Sequence, residues 1–286
     1  MTNRRARAVA ARFGGFPEGG APSIHELGAA GDVGAAAPYV DAAYYTKTYR
    51  SRTEDVDFYR ALALGVGGPV LEYGTGNGRI AIAIARAGVP VVGVDLSRHM
   101  LESFALRLGE QPKAVQERIE LVRGDMRDAR LRRRFALVIA PFNAVLHLYD
   151  RGDVEAFFAN VRRHLKPGGR FVFDYSIPTP QELCRDPARW YGSAPFRHPT
   201  TGQRLRYAER FEYDPIRQLL LVEMRFTPED GSPGWIVPLT HRQFFPREMA
   251  ALLAHSGFGR VIWTADFQAK PPDETSDTLV ATCSLR

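Results

Sequence analysis

The sequence predicts an α/β fold: a mostly parallel sheet flanked by helices, with a small all-β piece inserted late in the chain. Three observations predict it. A short apolar run, Val70-Leu71-Glu72-Tyr73, breaks into glycines at alternate positions (Gly74, Gly76 and Gly78), and a helix-like stretch over 80–87 then leads to a second apolar run, Val91-Val92-Gly93-Val94, that stops at Asp95. Further short apolar runs alternate with segments of helical periodicity as far as Asp174. Between about residues 178 and 245 the pattern changes to extended runs separated by Pro, Asp and Gly turns.

The elements follow in order. Residues 1–37 are rich in Ala, Gly and Arg and poor in large apolar side chains, so they are expected to stay flexible and form no packed domain; an amphipathic targeting peptide is the sharper alternative. Tyr39, Tyr44, Tyr45, Tyr49 and Phe58-Tyr59 open the ordered part, with a helix over 54–64. Ser97 is placed to N-cap a helix carrying Met100, Leu101, Phe104 and Leu108. Leu121-Val122-Arg123-Gly124-Asp125-Met126 reads as a third strand ending in an acid, and the run from Phe135 to Asn143 as a fourth. A helix with its stripe on Val154, Phe157, Phe158, Val161 and Leu165 ends at Pro167-Gly168-Gly169, before a fifth strand closing on Asp174 and Tyr175. Strands over 205–213, 219–226 and 235–242 make an antiparallel meander. A helix over 246–255, closed by Gly257, and a hairpin of 261–267 with 278–284 complete the chain.

The ligand follows from the glycine spacing. A dinucleotide turn needs G-x-G-x-x-G, whereas here the pattern is G-x-G-x-G and Arg79 stands where the last glycine belongs, which counts against a dehydrogenase. Glu72 brings a negative charge to the turn, which repels phosphate and suits a cation. Two acceptor oxygens on Asp95 suit a ribose diol. A ligand that is both nucleoside and cation is S-adenosylmethionine.

On these motifs, found in order, residues 38–286 resemble the class I S-adenosylmethionine-dependent methyltransferases, whose first motif is an acid followed by x-G-x-G-x-G. The resemblance implies a Rossmann-like seven-stranded sheet with an antiparallel last strand. It divides the chain into a lid and core over 38–177, a β cap over 178–245 and a return to the core over 246–286. It implies that Glu72, Gly74, Gly76, Asp95 and Leu96 hold the cofactor. Asp125 would meet the adenine amine, and the Met126 backbone amide the ring. Pro141 and Asn143 would lie in the active-site loop, and Tyr45, with Arg50 or Arg52, would meet the methionine carboxylate. Arg242-Gln243-Phe244-Phe245-Pro246-Arg247-Glu248 followed by Gly257-Phe258 resembles small-molecule methyltransferases with a β-meander cap, a group that includes glycine and amino-sugar N-methyltransferases.

The expected activity is methyl transfer to an N or O atom of a small molecule, by in-line displacement in a capped pocket. His147 is the candidate base, with helix packing as the equal alternative. His241 and Arg242 are a second pair, and strand alternation lets at most one of them face the pocket. Tyr49, Tyr175, Tyr213, Trp235 and Arg242 are candidate substrate contacts, although gluing the cap down is the favoured reading for Trp235. Asp174 either sits beside the site or caps the exit of its strand.

The alternatives are a nucleic-acid or protein methyltransferase and a non-catalytic cofactor binder. Ala140-Pro141-Phe142-Asn143 lacks the (D/N)-P-P-(Y/F/W) pattern of DNA amino methylation. The net charge of +6 (38 basic against 32 acidic side chains) is spread over segments without interleaved aromatics, so no nucleic-acid partner is expected. Two distant cysteines imply neither a disulfide framework nor a metal site, which suits the cytoplasm. No apolar run is long enough to span a membrane, and the chain is expected to be a monomer or homodimer.

Overall fold

The computed structural model describes residues 51–286 and, ahead of them, residues 7, 10, 15–17, 37–41, 44 and 47. The chain divides into two compact units, residues 51–177 with 244–286, and residues 1–50 with 178–243.

The first unit begins with α1 (Glu54–Val66). Glu54, Asp55 and Asp57 complement the amide end of its dipole, and Gly67, at φ 79°, ends it by donating to the Ala63 carbonyl. Strand β1 (Val70–Tyr73) is buried at all four positions, as befits a parallel strand covered on both faces. Helix α2 (Arg79–Arg86) returns the chain to β2 (Val91–Asp95). Helix α3 (Arg98–Gly109) is N-capped by Ser97, whose hydroxyl accepts from the Met100 amide at 3.3 Å, as the sequence predicts. Strands β3 (Ile119–Arg123) and β4 (Phe135–Ala140) follow, then α4 (Arg151–His164) with Val154, Phe157, Phe158 and Val161 buried along its predicted stripe. In β5 (Leu165–Ser176), Leu165 faces Phe135 and Arg170 faces Leu137, so Pro167-Gly168-Gly169 is looped out of the ladder.

The second unit is built on β6 (Arg204–Asp214), β7 (Leu219–Pro228) and β8 (Trp235–Arg242), the expected meander, with Leu220 opposite both Tyr213 and His241. Among the described residues its sheet has six strands, since Phe16–Pro17, Tyr191–Gly192 and Phe196–Arg197 pair along it. Two features differ from the sequence reading. Residues 1–37 were expected to stay unpacked, yet Phe16 pairs with Ile236 and Ala10 is fully buried. Residues 38–50 were assigned to the core, whereas the described ones among them go with the cap: Tyr44 packs on Phe226, Phe196 and His198. A composition poor in large side chains hides such contacts, because a few aromatic and backbone partners suffice to hold a short strand.

The chain then returns to the first unit through α5 (Pro246–His255), β9 (Phe258–Ala265) and β10 (Thr278–Leu285). The core sheet runs β9-β10-β5-β4-β1-β2-β3, with β10 antiparallel to both of its neighbours and the rest of the β1–β5 ladder parallel. One face packs against α4 and α5 through Phe157, Phe158, Phe171, Phe173, Met249 and Leu253. The other packs against α1, α2 and α3 through Tyr59, Ala63, Ile80, Ile84 and Phe104. Strand order reverses between β1 and β4, and in such sheets ligands bind outside the carboxyl ends of the strands at that switch point. None of the described helices is long and apolar enough to cross a membrane.

Candidate cofactor and active site

The carboxyl ends of β1, β2 and β4 present the glycine turn, Asp95 and the loop after Ala140. In the turn, Thr75 N–H donates to Val94 O at 3.1 Å and Gly78 N–H to Thr75 O at 3.0 Å. Gly76 sits at φ 55°, and a Cβ there would point into open space, so the backbone is bare toward a ligand. Gly78 sits at φ 79°, and a Cβ there would lie 2.2 Å from the Phe104 ring. The first glycine serves approach, the second helix packing.

Asp95 closes the turn. Its Oδ2 accepts from Gly76 N–H at 2.7 Å and its Oδ1 from Ser97 N–H at 2.8 Å, which leaves lone pairs on both oxygens for a diol. Burial raises its pKa, opposed by these amide bonds. Beside it Leu96 is 54% exposed, an apolar side chain at the surface next to the ribose acid. Glu72 is buried, and its Oε2 has no hydrogen-bond partner among the described residues. Desolvation pushes its pKa up to about 8, against the pull of the neighbouring Thr75 hydroxyl and, more weakly, of Arg79. A desolvated carboxyl with an open acceptor atom, a bare glycine backbone and a diol-binding acid fit a cationic nucleoside.

Asp125 lies just past β3. Burial raises its pKa, but hydrogen bonds from the Arg127 side chain and backbone outweigh this and hold it low. Arg127 Nη2 is 2.6 Å from Asp125 Oδ2, and Nη1 is 2.7 Å from Asp153. The sequence reading missed Arg127, so Asp125 offers an adenine amine only the acceptor capacity that Arg127 leaves. The Met126 carbonyl accepts from buried Asn160 Nδ2 at 3.0 Å, and Asn160 also donates to Tyr73 Oη at 3.1 Å. His164 completes this anchor, accepting at Nε2 from Leu131 N–H at 3.1 Å with Nδ1 2.9 Å from Tyr73 Oη.

The loop Pro141-Phe142-Asn143 carries two successive non-glycine residues in the left-handed region, Phe142 at φ 58° and Asn143 at φ 63°. Phe142 N–H donates to both oxygens of Asp174, at 2.9 and 3.0 Å, and Tyr59 Oη donates to Oδ1 at 2.7 Å. Asn143 Oδ1 accepts from Ser176 N–H at 2.7 Å. The Arg52 and Arg79 guanidinium carbons lie 5.1 and 5.0 Å from the Phe142 ring centroid. Arg79 pairs with buried Asp55 and donates to the Arg52 carbonyl at 2.9 Å. Arg52, Tyr59 and Arg79 each stand out in the sequence for other reasons, but nothing there joins them to Phe142, Asn143 and Asp174, which lie in segments far apart in the chain. The 3-10 turn Ala144–His147 follows, and burial pulls the His147 pKa down to about 4, so its imidazole is neutral at physiological pH.

The remaining expectations fare differently. Tyr45, Tyr49 and Arg50 lie outside the described residues. Tyr175 is fully buried and stacks 6.1 Å from Phe173, because its place in β5 points it into the core; it is withdrawn as a substrate contact. Trp235, 1% exposed and stacked 5.4 Å from Phe226, glues the cap together and is withdrawn likewise. Tyr213 and His241 are half-buried on one face of the cap sheet, and half-buried Arg242, which donates to the Gln243 carbonyl at 2.8 Å, is on the other.

The core has the sheet order and the glycine turn of the class I S-adenosylmethionine-dependent methyltransferases. Residues 70–169 match the family model described as "Methyltransferase domain". The chain is 32% identical over 124 residues to the cypemycin N-terminal methyltransferase of a Streptomyces species, a match covering 43% of this chain and 44% of that protein. It thus spans under half the length of that curated relative. Among solved structures, the CcbJ methyltransferase of Streptomyces caelestis is 26% identical with a TM-score of 0.69, covering 82% of this chain and 89% of its own. The glycopeptide N-methyltransferase MtfA, complexed with S-adenosylmethionine, is 27% identical with a TM-score of 0.57, covering 81% and 87%. The cofactor of this core is S-adenosylmethionine, and the glycine turn, Glu72 and Asp95 have the chemistry to hold it.

Proposed function

We propose that the protein methylates an amine nitrogen of a small molecule. Bound S-adenosylmethionine supplies a methyl group on sulfonium sulfur, an electrophile that needs no further activation. The chain's part is to bring an unprotonated acceptor in line and keep water out. The choice of nitrogen is supported by His147, half-buried in the turn that follows the Phe142–Asn143 loop, whose pKa desolvation lowers to about 4. Such a base is mismatched by about six units to a phenol and more to an alcohol, so it is a poor proton acceptor for O-methylation. An amine needs no such base: it sheds its proton to water on entering a low-dielectric site and reacts as the free base. Neutral His147 then serves as a hydrogen-bond partner that orients the acceptor.

The glycopeptide relative is named an N-methyltransferase and the cypemycin relative an N-terminal methyltransferase, which supports the same choice. Free Cys184 and Cys283 support a reducing compartment, and we assign the protein to the cytoplasm. The test is S-adenosylhomocysteine formation with matched panels of amines, phenols and alcohols, with mass spectrometry of the acceptor. Turnover of amines is expected. Turnover confined to hydroxyl acceptors would sink the proposal.

A further inference from the structure

Strand β5 ends beside the loop that follows β4, and it grips that loop at two points. Asp174, 1% exposed, takes the Phe142 amide on both oxygens, and two residues on Ser176 donates its amide to Asn143 Oδ1. Between these two grips lie the left-handed Phe142 and Asn143, a conformation that persists only where the surroundings impose it. Asn tolerates this region well; Phe does not, and Phe142 is the residue whose amide the carboxylate holds. The Asn143 carbonyl then accepts from Leu146 N–H at 2.9 Å, starting the turn that carries His147. The position of His147 is thus set by a chain of contacts that begins at Asp174.

We propose that Asp174 is the positioning residue of this active site, its carboxylate holding the Phe142–Asn143 loop, and through it His147, in the arrangement an acceptor amine meets. The assignment rests on the methyl-transfer reading for its kinetic consequence, but the clamp itself does not. The polar and charged groups facing the carboxylate are Tyr59 and Asp55 from α1 and Arg52 just ahead of it; the residue opposite on β10 is Val280. Desolvation raises the Asp174 pKa to about 6, against the Tyr59 and Phe142 hydrogen bonds. When the carboxyl takes up a proton, one of the oxygens that accepts from Phe142 or Tyr59 becomes a donor, and the clamp loosens.

The test compares wild type with Asp174→Asn, loaded with S-adenosylmethionine. The substitution is expected to lower kcat about tenfold above pH 7 while leaving cofactor Kd within about twofold. The wild-type to variant ratio of kcat should fall toward one as pH drops through about 6, because protonated wild type resembles the amide. A loss of stability alone would leave that ratio independent of pH, and a flat ratio overturns the assignment. Independently of any acceptor, the Phe142 amide resonance should titrate near pH 6 in wild type and not in the variant; no titration in wild type also overturns it. If no amine is turned over but Phe142 titrates, the functional reading has failed and the clamp has not. Should Asp174→Asn fail to fold, Tyr59→Phe removes one bond and keeps the charge. It should move the Phe142 midpoint upward and lower kcat about threefold, and an unmoved midpoint would count against the clamp.

Discussion

The two units treat their ionisable groups in opposite ways. In the core, Glu72 and Asp174 are buried acids with pKa values raised to about 8 and about 6, and His147 is a half-buried base lowered to about 4 by desolvation. In the cap, charges are matched locally. Buried Glu223 pairs with Arg210, Arg204 and Arg206 reach Glu229, and the Arg225 and Arg185 guanidiniums stack 4.0 and 4.1 Å from Trp190 and Phe211. Desolvating a charge without full compensation costs stability, and a fold that gathers its most strongly shifted groups in one unit marks where a ligand or a moving loop is to meet them. The cap is arranged to hold its own shape, the core to be completed by something it binds.

This contrast can be broken at its strongest point in the cap. Truncating Trp235 to Ala should destabilise the protein by about 3–5 kcal/mol, read from denaturant melts, because the ring is packed in the cap's own core. S-adenosylmethionine Kd, extrapolated to folded protein, should stay within about twofold; a large loss would tie the cap to the cofactor. The next largest effect is expected for Asp95→Ala. Losing the acceptor for Gly76 and Ser97 together with the diol contact should weaken cofactor binding about 100-fold by calorimetry. Unchanged affinity would remove Asp95 from the site.

Glu72 sharpens the comparison through pH. Its folded pKa, about 8, lies above the ordinary 4.5, so its contribution to the stability of the ligand-free protein is full below about 4.5 and is lost as pH rises through about 8. A cation that pairs with it needs the ionised form, so S-adenosylmethionine Kd should tighten by up to about tenfold for each unit that pH rises toward about 8 and level off above it, with proton release on binding below about 8. Glu72→Gln should abolish both the release and the slope; a release that survives the substitution would place the titrating group elsewhere. The smallest effect is expected at His147. His147→Ala should slow amine methylation by about tenfold or less, with a pH profile unchanged between about pH 5 and about 8, since the imidazole titrates near 4. A lost limb near neutral pH would restore it as a general base.

Much of the cofactor half was legible in the sequence. Glu72, the glycines and Asp95 lie within one βαβ unit, where contacts are close in the chain and each residue type answers a local demand of the backbone. The meander was legible for the same reason, its turns spelled by Asp214-Pro215 and by Asp230-Gly231. The clamp on Phe142 was not. It joins Tyr59, Phe142 and Asp174, separated by more than 80 and more than 30 residues, and Asp174 read equally well as a strand cap. Arg127 was missed because an arginine two residues after an acid has no signature apart from the fold around it. Tyr175 was misjudged because a polar tip on an aromatic ring suits a pocket and a core alike, and only packing distinguishes them; for Trp235 the favoured reading, packing within the cap, is the one its burial supports.

The sequence by itself determined the fold class, the strand order's starting motif, the cofactor and the place of the cap, since these depend on periodicity and on backbone geometry that only glycine, proline or a capping side chain permits. Only the tertiary structure decided which acids are desolvated, which are neutralised and what holds the active-site loop. Those properties are set by burial and by partners distant in the chain, and a carboxylate carries no local mark of whether it will meet water, an arginine or an amide.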